Sequence, residues 1–128
     1  MARRPSTTLT EAELRLMDVL WERRTATVAE VSAALPGSPI AYSSVLTTMR
    51  ILEQKGYVAH EEEGRAFVYR PIVEREEAAK SAVGQLISKF FANNPGELAL
   101  KLVAEERPSD EELQRLKALI EQYEEGRP

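Results

Sequence analysis

Apolar side chains recur at helical spacing through the first third of the chain. Thr10 and Glu13 form a capping box, in which each side chain can bond the backbone amide of the other residue. Apolar residues then occupy positions i, i+3, i+6 and i+7, namely Leu14, Met17, Leu20 and Trp21. This pattern predicts a first helix over about 10–23 with one buried face.

A second, shorter helix is predicted after the same signal. Thr27 and Glu30 repeat the capping box, and apolar residues continue at helical spacing with Val28, Val31 and Leu35. The run Pro-Gly-Ser-Pro at 36–39 ends this helix, because proline lacks an amide donor and glycine tolerates positive φ.

A third helix is predicted from about Ala41 to Lys55, with Gly56 just past its end. One face is apolar and holds Val45, Leu46, Met49 and Leu52. The opposite face carries side chains that are short or can hydrogen-bond, namely Ser43, Thr47, Arg50 and Gln54. A merely solvated face would be expected to hold more glutamate and lysine.

The segment after Gly56 predicts a β-hairpin. Residues 57–60 and 66–71 are β-type runs, and the five residues between them contain Gly64. We place the three consecutive glutamates, Glu61–Glu63, in this turn as a solvated face. Whether a short extended piece before or after the first helix completes a small sheet is left open by the sequence.

The chain from residue 73 onward is helical in a different manner. Helices are predicted near 73–92, over 97–105, and after a third capping box at Ser109 and Glu112. Each has an apolar stripe and little core of its own, so we expect the stripes to be buried against a second copy of the chain. The residues predicted at this interface are Leu86, Phe90, Leu98, Leu102, Leu113, Leu116 and Ile120.

The composition excludes several kinds of site. The 128 residues include no cysteine and one histidine, which rules out disulfides, thiolate metal centres, cysteine nucleophiles and multi-histidine metal sites. His60 has no serine motif near it, so we predict neither an enzyme nor a cofactor. Because no apolar run reaches the ~20 residues of a membrane helix, we expect a cytoplasmic chain without membrane insertion.

Three compact helices followed by a hairpin are the layout of a winged helix-turn-helix, whose third helix enters the DNA major groove. The predicted fold class is mainly α with a small β-hairpin, followed by a C-terminal helical dimerisation region. Short hydroxyl side chains let a helix approach base edges, and arginine can bind guanine or phosphate. The candidate DNA-binding residues are Ser43, Ser44, Thr47, Thr48 and Arg50 on the third helix and Arg65 on the wing. A hydroxyl-rich helix without a DNA role, and a merely solvated charge at Arg65, are the plainer interpretations.

The net charge of −4 is unevenly distributed. Residues 1–72 hold nine cations and nine acids, and residues 73–128 hold 8 cations and 12 acids, so the whole surplus lies in the second part. A DNA-binding half without surplus positive charge predicts modest non-specific affinity and reliance on two linked binding sites.

Four blocks of the sequence resemble the penicillinase-repressor family, which includes the methicillin-resistance and copper-responsive repressors. In order along the chain, the blocks are LTEAEL with MDVLW (9–14, 17–21), VAEV (28–31), AYSSVLTTMRILEQKGYV (41–58) and GRAFVYRP (64–71). The resemblance covers about 9–123. It implies a dimeric winged-helix repressor of palindromic, double-stranded operator DNA, with Ser43, Ser44 and Thr47 on the helix that contacts DNA and Arg65 on the wing. We accordingly divide the chain into a flexible arm (1–8), a DNA-binding domain (9–72) and a helical dimerisation region (73–128).

The sequence departs from the family pattern in two places. Members that answer to β-lactams are inactivated when a membrane-bound sensor metalloprotease cuts an Asn-Phe bond, and our alignment places that bond at Lys101-Leu102. Copper-responsive members end in a cysteine-rich metal motif, and this chain has no cysteine. The inducing signal is therefore open, and a ligand-responsive regulator without proteolytic control is one alternative.

A second alternative is a winged-helix module that binds protein through its third helix and wing. The acidic net charge favours this hypothesis. The shortage of large apolar residues on the exposed face of the third helix, with Ile51 the exception, disfavours it.

Overall fold

A computed structural model of the chain describes residues 8–126, so the predicted arm at 1–8 lies outside the described residues except for Thr8. The first part of the chain forms α1 (Glu11–Arg23), β1 (Ala26–Thr27), α2 (Val28–Ala34) and α3 (Tyr42–Lys55), followed by β2 (Val58–Glu63) and β3 (Ala66–Pro71). Three further helices follow: α4 (Arg75–Phe90), α5 (Pro95–Glu106) and α6 (Asp110–Glu125). The mainly helical fold with a small sheet is as predicted.

The helix boundaries follow from local hydrogen bonding. In each predicted capping box the glutamate amide donates to the cap hydroxyl at 3.1 Å, and the glutamate side chain accepts from the cap amide at 2.8–2.9 Å. These contacts start α1, α2 and α6. Helix α3 ends at Gly56, which has φ 90°, in the left-handed region that favours glycine.

The sheet has three antiparallel strands in the order β1-β3-β2. β1 pairs Ala26 with Tyr69 and Thr27 with Val68. An extended piece after α1 therefore completes the sheet, which settles the alternative that the sequence left open.

The placement of the three glutamates in a turn is wrong. Glu61, Glu62 and Glu63 belong to strand β2, and the turn consists of Gly64 and Arg65 alone. Opposite the glutamates lie Val68, Phe67 and Ala66, so no like charges face each other across the strands and the pairing can continue to Glu63. Gly64 has φ 62°, which allows a turn this tight.

One hydrophobic core joins the first three helices to the sheet. The side chains of Met17, Leu20, Val31, Val45, Met49 and Leu52 are fully buried, and Tyr57, Val58 and Tyr69 close the core from the sheet side. Trp21 is 8% exposed and its indole Nε1 donates to the Val73 carbonyl at 2.9 Å. Trp21 is therefore a core residue, as its place on the apolar stripe of the first helix indicates, and Tyr69 is a core residue as well.

The chain divides into two compact units, one running up to Gln85 and the other starting at Leu86, so the division falls inside α4. The functional boundary placed between residues 72 and 73 stays a prediction. None of the described residues of α4, α5 or α6 is buried. Within residues 8–126, no helix combines the length and the apolar character that crossing a membrane requires.

Candidate nucleic-acid interface

Helix α3 is held by one face and presents the other to solvent. On its apolar face Val45, Met49 and Leu52 are fully buried in the core, with Leu46 partly buried beside them. At its C-terminal end the Lys55 ammonium donates to the Glu13 carboxylate of α1 at 2.7 Å. Ahead of α3, the Arg15 guanidinium donates to the carbonyl oxygens of Pro36 and Ser38 at 2.7 and 3.0 Å, which fixes the turn between α2 and α3. The position of the outward face is therefore set from both ends.

The hydroxyl residues of α3 form a shallow concavity of about 360 Å³, lined by Ser43, Ser44, Thr47 and Thr48. The Thr47 hydroxyl donates to the Ser43 carbonyl at 3.0 Å, and the Thr48 hydroxyl donates to the Ser44 carbonyl at 2.8 Å. Because both protons are engaged by the helix itself, these threonines offer lone pairs and methyl groups outward. Such groups suit the amino donors of cytosine or adenine and the methyl of thymine.

The N-terminus of α3 also differs from those of its neighbours. No side chain caps it, and its first turn holds no acidic residue. By contrast, α1 and α2 each carry a glutamate in the first turn that closes a capping box. The positive end of the α3 dipole is therefore not neutralised by a carboxylate of its own first turn, which favours an anion near it.

Unpaired cations frame this face. Arg50 on α3 and Arg65 at the wing tip are exposed and make no hydrogen bond or ion pair with any of residues 8–126. Within residues 8–85, most other cations form an ion pair or a hydrogen bond. Arg23 pairs with Glu30, Arg24 with Glu74, Lys55 with Glu13 and Arg75 with Asp18.

The base of the wing is fastened to α3. His60 Nδ1 on β2 lies 2.7 and 2.8 Å from the two carboxylate oxygens of Glu53 on α3. The His60 ring stacks on Phe67 with the centroids 4.2 Å apart, and Tyr69 lies beside it at 5.3 Å. Burial and the nearby Glu53 carboxylate raise the pKa of the Tyr69 phenol, so Tyr69 remains a neutral member of this cluster. The hairpin therefore has a fixed direction relative to α3.

Two exposed aromatic residues at this face were not among the residues predicted from sequence. Tyr42 at the start of α3 is 55% exposed and Phe67 on β3 is 41% exposed. Together with Arg65 they line a groove of about 360 Å³ that also includes Thr27, Val28, Ala29, Leu46 and Ala66. The available signal was strand alternation, because Phe67 shares a sheet face with the buried Tyr69 but lies two residues closer to the wing tip.

The described residues also show whether side chains could together hold a metal ion. Across residues 8–126, no three histidine, aspartate or glutamate side chains come together in a way that could hold a metal ion. The site consists of hydroxyl groups, aromatic rings and two arginines, groups that can hydrogen-bond to a partner or stack on it.

A family model described as penicillinase repressor matches residues 9–122. The chain belongs to the penicillinase repressor family. The penicillinase repressor of Bacillus licheniformis is 25% identical over 116 residues, which cover 90% of this chain and 91% of that protein. The methicillin resistance regulatory protein MecI of Mammaliicoccus sciuri is 22% identical over 116 residues, which cover 88% of this chain and 92% of MecI.

Among solved structures, this member of the penicillinase repressor family is similar to the DNA-binding domain of the repressor BlaI. The two are 31% identical with a TM-score of 0.52, and the match covers 60% of this chain and 93% of that domain. The predicted winged helix-turn-helix fold and the resemblance to the penicillinase repressor family are thereby confirmed.

The residues predicted for dimerisation all lie in the second unit. Phe90 is 75% exposed, and Leu86, Leu102 and Ile120 are exposed as well. Leu98, Leu113 and Leu116 are half-buried. Leu86 and Phe90 line a shallow apolar concavity together with Phe91 and Lys101.

The Lys101-Leu102 bond, which the family resemblance marks as a cleavage position, lies in the middle of α5. Both residues are exposed, and the Lys101 ammonium pairs with Glu105 one turn further along at 2.9 Å. The bond is accessible in position but is part of a regular helix.

Proposed function

We propose that this protein is a dimeric, sequence-specific DNA-binding transcriptional repressor that acts in the cytoplasm on palindromic operators. The observation that carries the proposal is the outward face of α3, where four short hydroxyl side chains lie next to an unpaired Arg50. Family membership supports it, since the related BlaI domain is described as a DNA-binding domain and the related proteins as a repressor and a regulatory protein.

In this proposal α3 is the recognition helix. Ser43, Ser44, Thr47 and Thr48 contact base edges or phosphates in the major groove, and Arg50 binds guanine or a phosphate. The wing carries Arg65 to the neighbouring backbone, and the hydrogen bond between His60 and Glu53 keeps it there. Tyr42 and Phe67 extend the contact surface between helix and wing.

The dimer is supported by the apolar side chains of the second unit. Leu86, Phe90, Leu102 and Ile120 are exposed in the single chain, as are Leu100, Leu119 and Tyr123. Soluble monomers rarely leave so many large apolar groups close together in water. A second copy with two-fold symmetry would cover the same stripe on both chains, and a palindromic site has the same symmetry.

The signal that would release this repressor from DNA is the next part of the proposal. For a sensor metalloprotease to cut Lys101-Leu102, α5 would have to unwind locally, because a protease binds its substrate as an extended strand. The side chains at the bond are also a lysine and a leucine rather than asparagine and phenylalanine. We therefore infer release by a signal other than cleavage with the family's Asn-Phe specificity, with a small ligand as the main alternative.

The proposal is tested by selecting duplexes from a random library with the full chain and measuring their affinity by gel shift. We expect Arg50→Ala and Thr47→Ala to weaken binding at least about fivefold each, since one good base contact contributes roughly 1–3 kcal/mol. Lys80→Ala, which removes an exposed charge from α4, is the matched control and should leave the affinity unchanged. If both α3 variants bind like the wild type, the assignment of the recognition helix is wrong.

A protein-binding module is the second candidate, and the exposed Tyr42, Ile51 and Phe67 favour it. Salt dependence separates the two functions. Binding through phosphates loses about 0.9 log units of affinity per tenfold increase in salt for each phosphate contact, whereas binding through apolar side chains does not. A flat salt profile for the selected duplexes would favour the protein-binding module.

A further inference from the structure

The last two residues before α4 and the first residue of α4 itself are all held by α1 or by Arg24, the residue that follows it. The Val73 carbonyl accepts the hydrogen bond from Trp21 Nε1 at 2.9 Å, and the Val73 side chain is buried. The Glu74 carboxylate accepts two hydrogen bonds from the Arg24 guanidinium, at 2.9 and 2.8 Å. This parallel, two-point contact constrains orientation as well as distance.

The third residue of this segment is held twice. The Arg75 guanidinium lies over the Trp21 ring, 4.7 Å from its centroid, and also donates to the Asp18 carboxylate at 2.7 Å. Three residues at the C-terminal end of α1 therefore hold three consecutive residues of the chain. We call these six residues the exit clamp: Asp18, Trp21 and Arg24 on one side, and Val73, Glu74 and Arg75 on the other.

The exit clamp acts directly on the start of a helix. α4 begins at Arg75 itself, and the Ala78 amide closes its first turn on the Glu74 carbonyl at 3.0 Å. Ala78 is also packed against the hydrophobic core of the first unit. Because an α-helix is stiff, fixing its first turn sets the direction of its axis over residues 75–85, the part of α4 that belongs to the first unit.

The two ion pairs of the exit clamp add little to the stability of the fold. Both ion pairs are solvent-exposed, with about half of each side chain accessible, and such pairs contribute little to the free energy of unfolding. Three contacts on three consecutive residues nevertheless restrict the path of the chain. A geometric role explains this arrangement better than a stabilising one.

We propose that Asp18, Trp21 and Arg24 are positioning residues that set the direction in which α4 leaves the DNA-binding unit, and thereby determine which half-site spacing the dimer accepts. This inference rests on the proposed function, because only a dimer on a two-fold operator reads a spacing. Each added base pair moves a half-site by about 3.4 Å and turns it by about 35° around the duplex axis. If α4 leaves each DNA-binding unit in a fixed direction, the two recognition helices of the dimer therefore match only one half-site spacing well.

The experiment uses the full chain and inverted repeats of the half-site obtained by selection, with centre-to-centre spacings varied in single base pairs over one helical turn. Binding is measured by fluorescence anisotropy for the wild type, Arg24→Glu, Glu74→Arg and the double variant that exchanges the two charges. A duplex with a single half-site is titrated in parallel, and sedimentation gives the oligomeric state. Arg23→Glu is the matched control, since Arg23 pairs with Glu30 and does not touch the exit clamp.

We expect the wild type to prefer its best spacing by at least about tenfold over one three base pairs away, because that change turns the half-site by about 100°. Arg24→Glu and Glu74→Arg should each reduce this preference to about twofold, and the double variant should restore it, while single half-site affinity and the dimer stay unchanged. Arg23→Glu should keep the wild-type preference.

The proposal is overturned if Arg24→Glu retains the wild-type spacing preference, or if exchanging the charges fails to restore it. It is also overturned if Arg24→Glu weakens single half-site binding as much as it weakens binding to the palindrome, because Arg24 would then act on DNA contact itself. If the wild type dimerises and binds the half-site but has the same affinity at every spacing, the role of the exit clamp is refuted and the proposed function is not. A wild type that binds no duplex, or remains a monomer on it, overturns the proposed function and the clamp with it.

Discussion

Replacing Glu13 with glutamine should destabilise the first unit by about 1.5–3 kcal/mol at pH 7, the range for a hydrogen bond to a charged group. The Glu13 carboxylate is 5% exposed and accepts from Lys55 Nζ at 2.7 Å and from the Thr10 amide at 2.9 Å. Glutamine keeps the shape of the side chain and an acceptor for the Thr10 amide, so the substitution isolates the charge. Lys55→Met should cost more, about 3–5 kcal/mol, because it leaves a buried carboxylate without its cation.

The same contact makes stability depend on pH. Burial raises the pKa of Glu13, but the hydrogen bonds from Lys55 and from the Thr10 amide outweigh burial, so the folded pKa lies below the ordinary value of 4.5. The stabilisation is therefore fully present above the unfolded pKa and is lost as the pH falls through the folded pKa. The stability difference between wild type and Glu13→Gln should shrink once the pH drops below about 4.

Urea unfolding followed by the fluorescence of Trp21 measures this effect at a fixed protein concentration, since Trp21 is the only tryptophan and lies in the core of the first unit. Glu30→Gln is the matched control, because Glu30 closes the same kind of capping box at an exposed position. Its unfolding midpoint should move much less. If Glu13→Gln changes stability no more than Glu30→Gln, or if the difference persists unchanged at pH 3, the reasoning about the buried charge is refuted.

Three further predictions concern separate contacts. Arg15→Ala should speed amide hydrogen exchange in the turn between α2 and α3, because two carbonyl oxygens there lose their donor; unchanged exchange would contradict this. His60→Ala should lower stability by about 1 kcal/mol through loss of ring stacking and of the contact with Glu53, and should expose the wing to limited proteolysis, whereas a wing as resistant as the wild type would show that other contacts hold it. Phe90→Asp should weaken dimerisation in sedimentation while leaving the Trp21 unfolding midpoint in place, since Phe90 is 75% exposed in the single chain. A variant that remains fully dimeric would remove Phe90 from the interface.

The parts of the fold that depend on neighbouring residues were predictable from the sequence. The capping boxes at Thr10, Thr27 and Ser109 fixed three helix starts to within a residue, because a cap bonds amides only three positions away. Gly56 fixed the end of α3 for the same local reason. The burial of Trp21 was also predictable, from its place on an apolar helical stripe.

Contacts between residues distant in sequence were not predictable in this way. The pairing of β1 with β3 joins Ala26 to Tyr69, and a two-residue strand has no pattern of its own. The extension of β2 through Glu61–Glu63 depends on what β3 places opposite, which outweighs the low strand propensity of glutamate. The fixed direction of the wing depends on His60 and Glu53, which pair only once the fold has formed.

For the candidate site, the types and positions of the residues were enough to predict the hydroxyl face of α3 as the DNA-binding surface. They did not reveal that Thr47 and Thr48 direct their hydroxyl protons back into the helix, nor that Arg50 and Arg65 stay unpaired within residues 8–126. Tyr42 and Phe67 were missed because an aromatic residue on an amphipathic element is usually assigned to the core.

The extended glutamate run on β2 also limits how copies of this protein can associate. Sheets grow when the open edge of one copy pairs with the edge of another, and this sheet has β1 at one edge and β2 at the other. β1 is two residues long and offers almost no edge to pair with. β2 brings three adjacent negative charges, so a second β2 approaching it would meet strong repulsion. Aggregation through the edges of the sheet is thereby disfavoured, also in the proposed dimer, in which two wings would lie close together on one stretch of DNA.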